Sequence, residues 1–471
     1  MHYISTRAKA PVLSFDDVLL TGLARDGGLY VPETWPQLTL DDCRELARLP
    51  YADLAARIIG GFVGDTISDP DLRRLTKDAY SGFDHSAVAP LHQLDSQLWL
   101  MDLFHGPTLA FKDYALQMLG RLFDHFLAAR GERVTIIGAT SGDTGSAAIE
   151  AVRDRANIDI FMLHPRGRVS EVQRRQMTTI MADNVFNLAV DGTFDDCQNA
   201  VKSMFADEAF RDSARLSAVN SINWARITSQ IVYYAAAALR LGSTERPVSF
   251  AVPTGNFGNI LAAYAGKQMG LPIGELVVGC NRNDILHRFF NSGSMDQQTV
   301  APTIAPSMDI QISSNFERYL FELLDRDGAR LDELMAQFRQ TGAIKLGDNA
   351  MARARQDFSS HRFDDDEIRA TIKTILGETG MLVDTHTAIG IGAARAELSA
   401  RQIKGPLVAL ACAHPAKFPD AVQEASGIRP ELPPHLADLL DRKERSYEMS
   451  ADIDEMKRFI TGHARILSRA A

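Results

Sequence analysis

Residues 134–155 read VTIIGATSGDTGSAAIEAVRDR. The run Val134–Ile137 is short, apolar and largely β-branched, the pattern of a strand buried on both faces. Glycines and hydroxyl residues follow it. From Gly145 to Arg155 the apolar positions then recur at helical spacing. A buried strand running through a glycine-rich turn into a helix is half of a parallel βαβ unit. The same grammar continues outward. Ile158–Leu163 and Val185–Val190 read as strands, and Asp195–Phe205 and Ala225–Leu241 as helices. Val248–Val252 is a strand that leads through a glycine-rich turn to a helix from Asn259, and Leu276–Cys280 and Leu407–Ala411 complete the set. The alternation predicts an α/β fold with a largely parallel sheet and crossover helices.

Upstream the texture changes. Residues 1–85 carry turn signals at Gly27, Gly28, Pro32 and Pro36, then helical periods from Leu40 to Ala79, and are expected to form a separate N-terminal domain. Residues 86–430 form the α/β core in this reading. Pro430, Pro433 and Pro434 mark a linker, and residues 431–471 are expected to be a charged helical tail over Leu436–Arg469. Ser292–Ser314, polar and carrying Pro302 and Pro306, reads as a mobile loop or lid.

Composition removes several function classes. The 471 residues are 45% hydrophobic and 23% charged, with a net charge of −10, so neither nucleic acid nor an anionic membrane surface is expected as the main partner. The four cysteines, Cys43, Cys197, Cys280 and Cys412, contain no CxxC pair, which argues against structural zinc and points to a reducing cytoplasm. Met1–Asp17 has no signal-peptide apolar core, and no apolar run approaches the ~18 residues of a membrane span. GxxxxGK[ST], HExxH and GxSxG are absent, the histidines do not cluster at metal-ligand spacing, and no metal or obligate protein partner is expected.

Glycine-containing segments between strand and helix occur at residues 105–113 (HGPTLAFKD), 138–146 (GATSGDTGS) and 253–259 (PTGNFGN). In the first, Pro107 suggests a helix beginning near Thr108. Lys112 would then lie early in that helix, where the positive end of the dipole and partial burial both favour the neutral amine that attacks an aldehyde. Taken alone, the segment favours a solvated helix lysine. The second segment offers hydroxyls and N–H groups at a helix N-terminus, which suits an anion or simply an N-cap. In the third, the glycines permit close backbone approach and a phosphate nest.

Together, FKD, TSGDTGS and PTGNFGN in this order resemble the threonine synthases. These are fold-type-II pyridoxal-phosphate enzymes related to the tryptophan synthase β chain. Further matching segments are Asn220–Arg226 (NSINWAR), Pro306–Ile310 (PSMDI), His414–Phe418 (HPAKF) and Asp26–Pro32 (DGGLYVP). The resemblance covers residues 1 to about 430 and is strongest to the long bacterial and fungal type.

That resemblance implies two α/β subdomains around a cleft holding pyridoxal 5'-phosphate, plus an N-terminal domain. It implies a lyase of threonine biosynthesis that converts O-phospho-L-homoserine and water to L-threonine and phosphate. Lys112 matches the catalytic, Schiff-base lysine. Gly255, Asn256, Phe257, Gly258 and Asn259 match the cradle for the cofactor phosphate. Cys412 stands where the family usually has threonine, beside the pyridine nitrogen. A thiol is a weaker hydrogen-bond partner than a hydroxyl and cannot hold the ring nitrogen protonated as a carboxylate would. Thr140, Ser141, Asp143 and Thr144 are expected to face the substrate carboxylate or phosphate and the cofactor ring oxygen. Arg226 matches an arginine that holds the substrate phosphate, and Asn223 and Lys417 are weaker candidates. An elimination giving 2-oxobutyrate, by a serine/threonine dehydratase or phospholyase, is the alternative chemistry. A non-catalytic ligand-binding homologue is the alternative of another class, and has no need of Lys112.

Overall fold

A computed structural model describes residues 1–219 and 221–467. Their contacts group them into two compact units. The first contains Met1–Val18, Leu23–Phe111 and Ser221–Pro430; the second contains Leu19–Gly22 with residues 112–219 and 431–467. Each is built on a parallel sheet flanked by helices, the α/β class that the alternation predicts.

In the first unit the strand order is Phe358–Arg362, Ile273–Cys280, Val248–Pro253, Leu407–Ala411, Leu98–Asp102 and Leu91–Gln93. All neighbours are parallel except the last pair, where Leu91–Gln93 runs antiparallel along the edge. Val248–Pro253 and Leu407–Ala411 are buried at every position, because helices such as Thr385–Ala400 cover the sheet. Parallel strands put their C-terminal ends on one side. The segments after Asp102, Pro253 and Ala411 therefore emerge together, and they carry residues 105–111, 254–259 and 412–414.

The N-terminal residues are welded into this first unit. Strands Tyr3–Ser5 and Tyr30–Pro32 pair antiparallel, and helices Leu40–Leu46, Tyr51–Val63 and Asp69–Tyr80 follow. Trp224 is fully buried among the rings of Tyr3, Trp35 and Phe62. Buried Arg7 grips Glu317 through Nε–Oε1 at 3.1 Å and Nη2–Oε2 at 2.9 Å, and Thr6 donates to the same carboxylate at 2.7 Å. Such a pair tolerates burial because its lone pairs are satisfied, and losing either partner would strand a charge.

The second unit's sheet is entirely parallel, in the order Tyr447–Met449, Val185–Val190, Ile158–Pro165, Val134–Ala139 and Leu216–Ser217. The C-terminal residues belong to it. After a short 3-10 turn at Pro434–Leu436, the described α-helix runs only over Ile453–His463, from the Asp452 cap, rather than from Leu436; residues 468–471 lie outside the described ones. Tyr447–Met449 adds an edge strand, and Arg465 Nε reaches Asp159 Oδ1 at 2.6 Å.

Ser292–Ser314 also differs from the loop its composition suggests. Ser294–Asp296 pairs with Ala343–Lys345, and Asp309 gathers bonds from Asn281, Asn283 and Thr303 at 2.7–3.0 Å. A carboxylate that accepts this many donors ties down a loop whose polarity alone reads as mobile.

Candidate active site

The helix carrying Lys112 begins at Lys112 itself and runs to Arg130. It does not begin near Thr108, because Leu109 adopts a left-handed φ of 62° that breaks the helical path. The preceding residues are pinned to the end of strand Leu407–Ala411. Phe111 N donates to Cys412 O at 2.8 Å, His414 N donates to Leu109 O at 3.0 Å, and Ala110 bridges Ala413. Lys417 Nζ is fully buried and donates to Thr108 O at 2.6 Å, so this weaker candidate secures the turn.

Lys112 Nζ lies 3.2 Å from Asp143 Oδ2, within the second unit. Asp143 opens helix Asp143–Val152, whose first turn favours a carboxylate. A carboxylate beside an amine is poorly suited to hold a substrate anion, so the geometry ties Asp143 to Lys112. Thr140 is buried and serves its own turn: its hydroxyl oxygen accepts from Gly142 N at 3.0 Å and Gly145 N at 2.9 Å. Ser141 is exposed and Thr144 half-buried, at the N-terminus of the same helix, where hydroxyls and first-turn N–H groups can meet an anion.

In the first unit, the turn 254–257 precedes helix Gly258–Gln268. Phe257 sits at φ 62° as its N-cap and makes no side-chain capping bond. The first-turn N–H groups have no helical acceptor, which leaves them for a phosphate. The Phe257 ring itself is buried against Phe316, Tyr319 and Phe358, with centroids 4.9–5.9 Å away. It anchors the loop from behind. Phe257→Ala should therefore cost about 3–5 kcal/mol of stability by denaturant unfolding; a loss under about 1 kcal/mol would show that the ring anchors nothing.

A second brace comes from Ser313–Asn315, which the sequence did not single out. Ser313 Oγ donates to Gly255 O at 2.7 Å, and Asn315 N donates to Asn256 O at 3.1 Å. Asn315 Nδ2 also donates to Ser221 O at 3.0 Å, and buried Arg318 donates to Ile222 O at 2.6 Å and to Tyr30 O at 3.0 Å. One short segment thus fixes both the phosphate-type turn and the 221–223 turn. No local motif announces it, since its partners lie roughly 60 and 95 residues upstream.

Asn259 does not point its side chain at that turn. Its Oδ1 accepts from Tyr233 at 2.5 Å and Tyr234 at 2.7 Å. Burial raises the Tyr234 phenol well above its ordinary value, so it remains a donor. This fixes the amide: Nδ2 faces Cys412 Sγ at 3.8 Å, so the thiol sulfur accepts. Asn259 and Cys412 form one buried network, and only the backbone of Asn259 belongs to the turn.

Helix Trp224–Arg240 carries the remaining candidates. Asn223 is its N-cap and accepts from Ala225 N at 3.1 Å; Asn220 lies outside the described residues. Arg226 is only 3% exposed, and its Nε and Nη1 have no hydrogen-bond partner among the described residues. Burial pushes the guanidinium down to about 10. The cation also stands in the first turn of a helix, the end that disfavours positive charge. Two unfavourable terms with no counter-ion among the described residues make this a position that an incoming anion would stabilise.

Comparisons with known proteins agree with this chemistry. Family profiles match residues 2–80 (threonine synthase N terminus), 84–413 (pyridoxal-phosphate dependent enzyme) and 387–460 (threonine synthase, C-terminal). A threonine synthase of Pseudomonas aeruginosa is 53% identical over 464 residues, covering 98% of each chain. A pyridoxal-phosphate-bound threonine synthase from Brucella melitensis superimposes with a TM-score of 0.97 at 51% identity, covering 99% of this chain and 100% of that one. The yeast threonine synthase structure gives 0.93 at 38% identity, covering 99% of each.

Proposed function

The chain belongs to the threonine synthase family of pyridoxal-phosphate-dependent lyases, and from that premise we infer that it converts O-phospho-L-homoserine and water to L-threonine and phosphate. The observation that carries this substrate is Arg226, a buried cation whose Nε and Nη1 lack partners among the described residues. A dianionic phosphate suits its planar fork. A dehydratase acting on serine or threonine has no phosphate to place there.

The cofactor, when bound, supplies a conjugated ring that takes up the electron pair left as protons leave the substrate carbons. Lys112 would hold it covalently, the N–H groups around Gly255–Asn259 would hold its phosphate, and Cys412 would face its ring nitrogen. Those first-turn N–H groups, with no side-chain cap, fit such a group. Lys112 Nζ then moves protons at Cα and Cβ, with Asp143 beside it to keep the amine oriented. Arg226 orients the phosphate that departs from Cγ. Ser141, Thr144 and the N–H groups around them hold the carboxylate. A proton is delivered to Cγ to make the methyl group, water adds at Cβ as its hydroxyl, and a proton returned to Cα completes threonine.

We also propose modules at residues 1–85, 86–430 and 431–471; profile matches over 2–80 and 84–413 support the first boundary. A cytoplasmic setting is supported by the four buried cysteines, which form no disulfide among the described residues. Among the described residues no helix is long and apolar enough to cross a membrane.

Assays of phosphate, threonine and 2-oxobutyrate released from O-phospho-L-homoserine test the reaction. Phosphate and threonine should appear in equal amounts; 2-oxobutyrate in place of threonine would assign a phospholyase instead. Cys412 gives a finer test. Cys412→Thr should keep activity and the visible spectrum close to the parent. Cys412→Asp should alter the spectrum and raise side products, because an ionised carboxylate there would stabilise a protonated ring nitrogen. Two variants indistinguishable from the parent would make Cys412 a packing residue.

A further inference from the structure

Gln173 stands 61 residues beyond Lys112 in sequence, and neither the motifs nor the profile matches give it a role. Its buried Nε2 donates to Asp143 Oδ1 at 2.8 Å, while the other oxygen of that carboxylate lies 3.2 Å from Lys112 Nζ. Its Oε1 accepts from Ser170 Oγ at 2.9 Å. Ser170 in turn is the N-cap of helix Glu171–Thr178 and accepts from Gln173 N at 3.4 Å. The amide is therefore held at both ends, and its orientation is fixed: oxygen toward the hydroxyl, N–H toward the carboxylate.

The approach depends on Gly142. That residue has φ 150°, and a Cβ there would come within 2.4 Å of Gln173 Oε1. The glycine of the TSGDTG turn thus admits the Gln173 head to the back of Asp143. All four participants, Ser170, Gln173, Asp143 and Lys112, belong to the second compact unit.

We propose that Gln173 is a positioning residue for Lys112, acting through Asp143. By donating to Oδ1, it holds the carboxylate plane so that Oδ2 faces the amine. It also draws off part of the negative charge that would otherwise favour the ammonium form of Lys112. Its service is to let Lys112 give up and take back protons without being locked as a permanent ion pair. This rests on the assignment of Lys112 as the cofactor lysine, which borohydride labelling tests separately: a label on another lysine defeats that assignment whatever Gln173 does.

The test is Gln173→Leu, which keeps the volume and removes the donor. Reductive 13C-methylation of the full chain, stripped of cofactor, lets the Lys112 resonance be titrated by NMR, with Lys112→Ala identifying the peak. We expect its midpoint to move to higher pH by about half a unit or more, since one donor to a charged group is lost. In the loaded enzyme kcat should fall about tenfold with KM changed less than about twofold, because the lost interaction does not touch substrate. Ser170→Gly keeps a competent N-cap but frees the Gln173 oxygen, and should shift the titration the same way by less. It decides the matter if Gln173→Leu does not fold. An unmoved Lys112 titration overturns the proposal even if activity or thermal stability falls, for Gln173 would then be a packing residue only.

Discussion

Lys112→Ala loses turnover by about three orders of magnitude or more while its far-ultraviolet spectrum and unfolding midpoint stay near the parent's. The size follows from the double duty proposed for it, in which the same amine holds the cofactor and carries protons; acid–base catalysis alone is worth about 10²–10⁴-fold. The fold should survive because Lys112 begins its helix, with its side chain at the edge of the unit's core. Removing it leaves Asp143 with the Gln173 donor at 2.8 Å, so the carboxylate is not stranded. Borohydride reduction of the loaded parent, followed by peptide mapping, should place the cofactor on residue 112. An active alanine variant would sink the assignment.

Arg226→Met separates binding from stability in an unusual way. Methionine roughly preserves the buried volume, and the unpaired charge disappears. Stability of the unliganded chain should hold or rise by about 1 kcal/mol or more, since an uncompensated buried cation at a helix N-terminus is a liability. Affinity for O-phospho-L-homoserine should fall tenfold or more, at about 1.5–3 kcal/mol per charge-assisted bond, while unphosphorylated amino acids are little affected. Inorganic phosphate should raise the melting temperature of the parent and leave that of the variant unmoved. Equal losses for both classes of ligand, or a less stable variant, would make Arg226 a structural residue.

Much of this was legible in the chain because parallel sheets write themselves plainly. Val134–Ala139 and Val248–Pro253, one in each unit, are apolar runs ended by glycine-rich turns, and within one parallel sheet such turns lie on one edge. Lys112 is singled out only by the family resemblance, since its own segment alone favours a solvated helix lysine. What could not be read was how side chains are spent. Thr140 looks like a ligand-facing hydroxyl, yet its oxygen accepts from the N–H groups of its own turn, at Gly142 and Gly145. Lys417 has a charged head, but a buried carbonyl at Thr108 claims it. Gln173 left one local trace: Ser170 followed three residues later by glutamine is a helix-start signature. That pattern locates a helix and says nothing of Asp143, because the partner is supplied by the packing of another βα turn. Asn315 and Arg318 left no trace, since long-range partners are set by tertiary contact alone.

The edge strand Tyr447–Met449 bears on how the protein is made. The second unit opens at residue 112, but its sheet gains its outermost member only from residues 447–449, and Arg445 and Arg465 dock there too. Over 200 residues of the other unit emerge from the ribosome in between. During that interval Val185–Val190 presents an unpaired edge of buried-type residues, the kind that seeks strands from neighbouring chains. Synthesis thus leaves a nascent surface in need of shielding until the last few dozen residues arrive, and stop codons late in the reading frame should yield inclusion bodies rather than a slightly shortened enzyme.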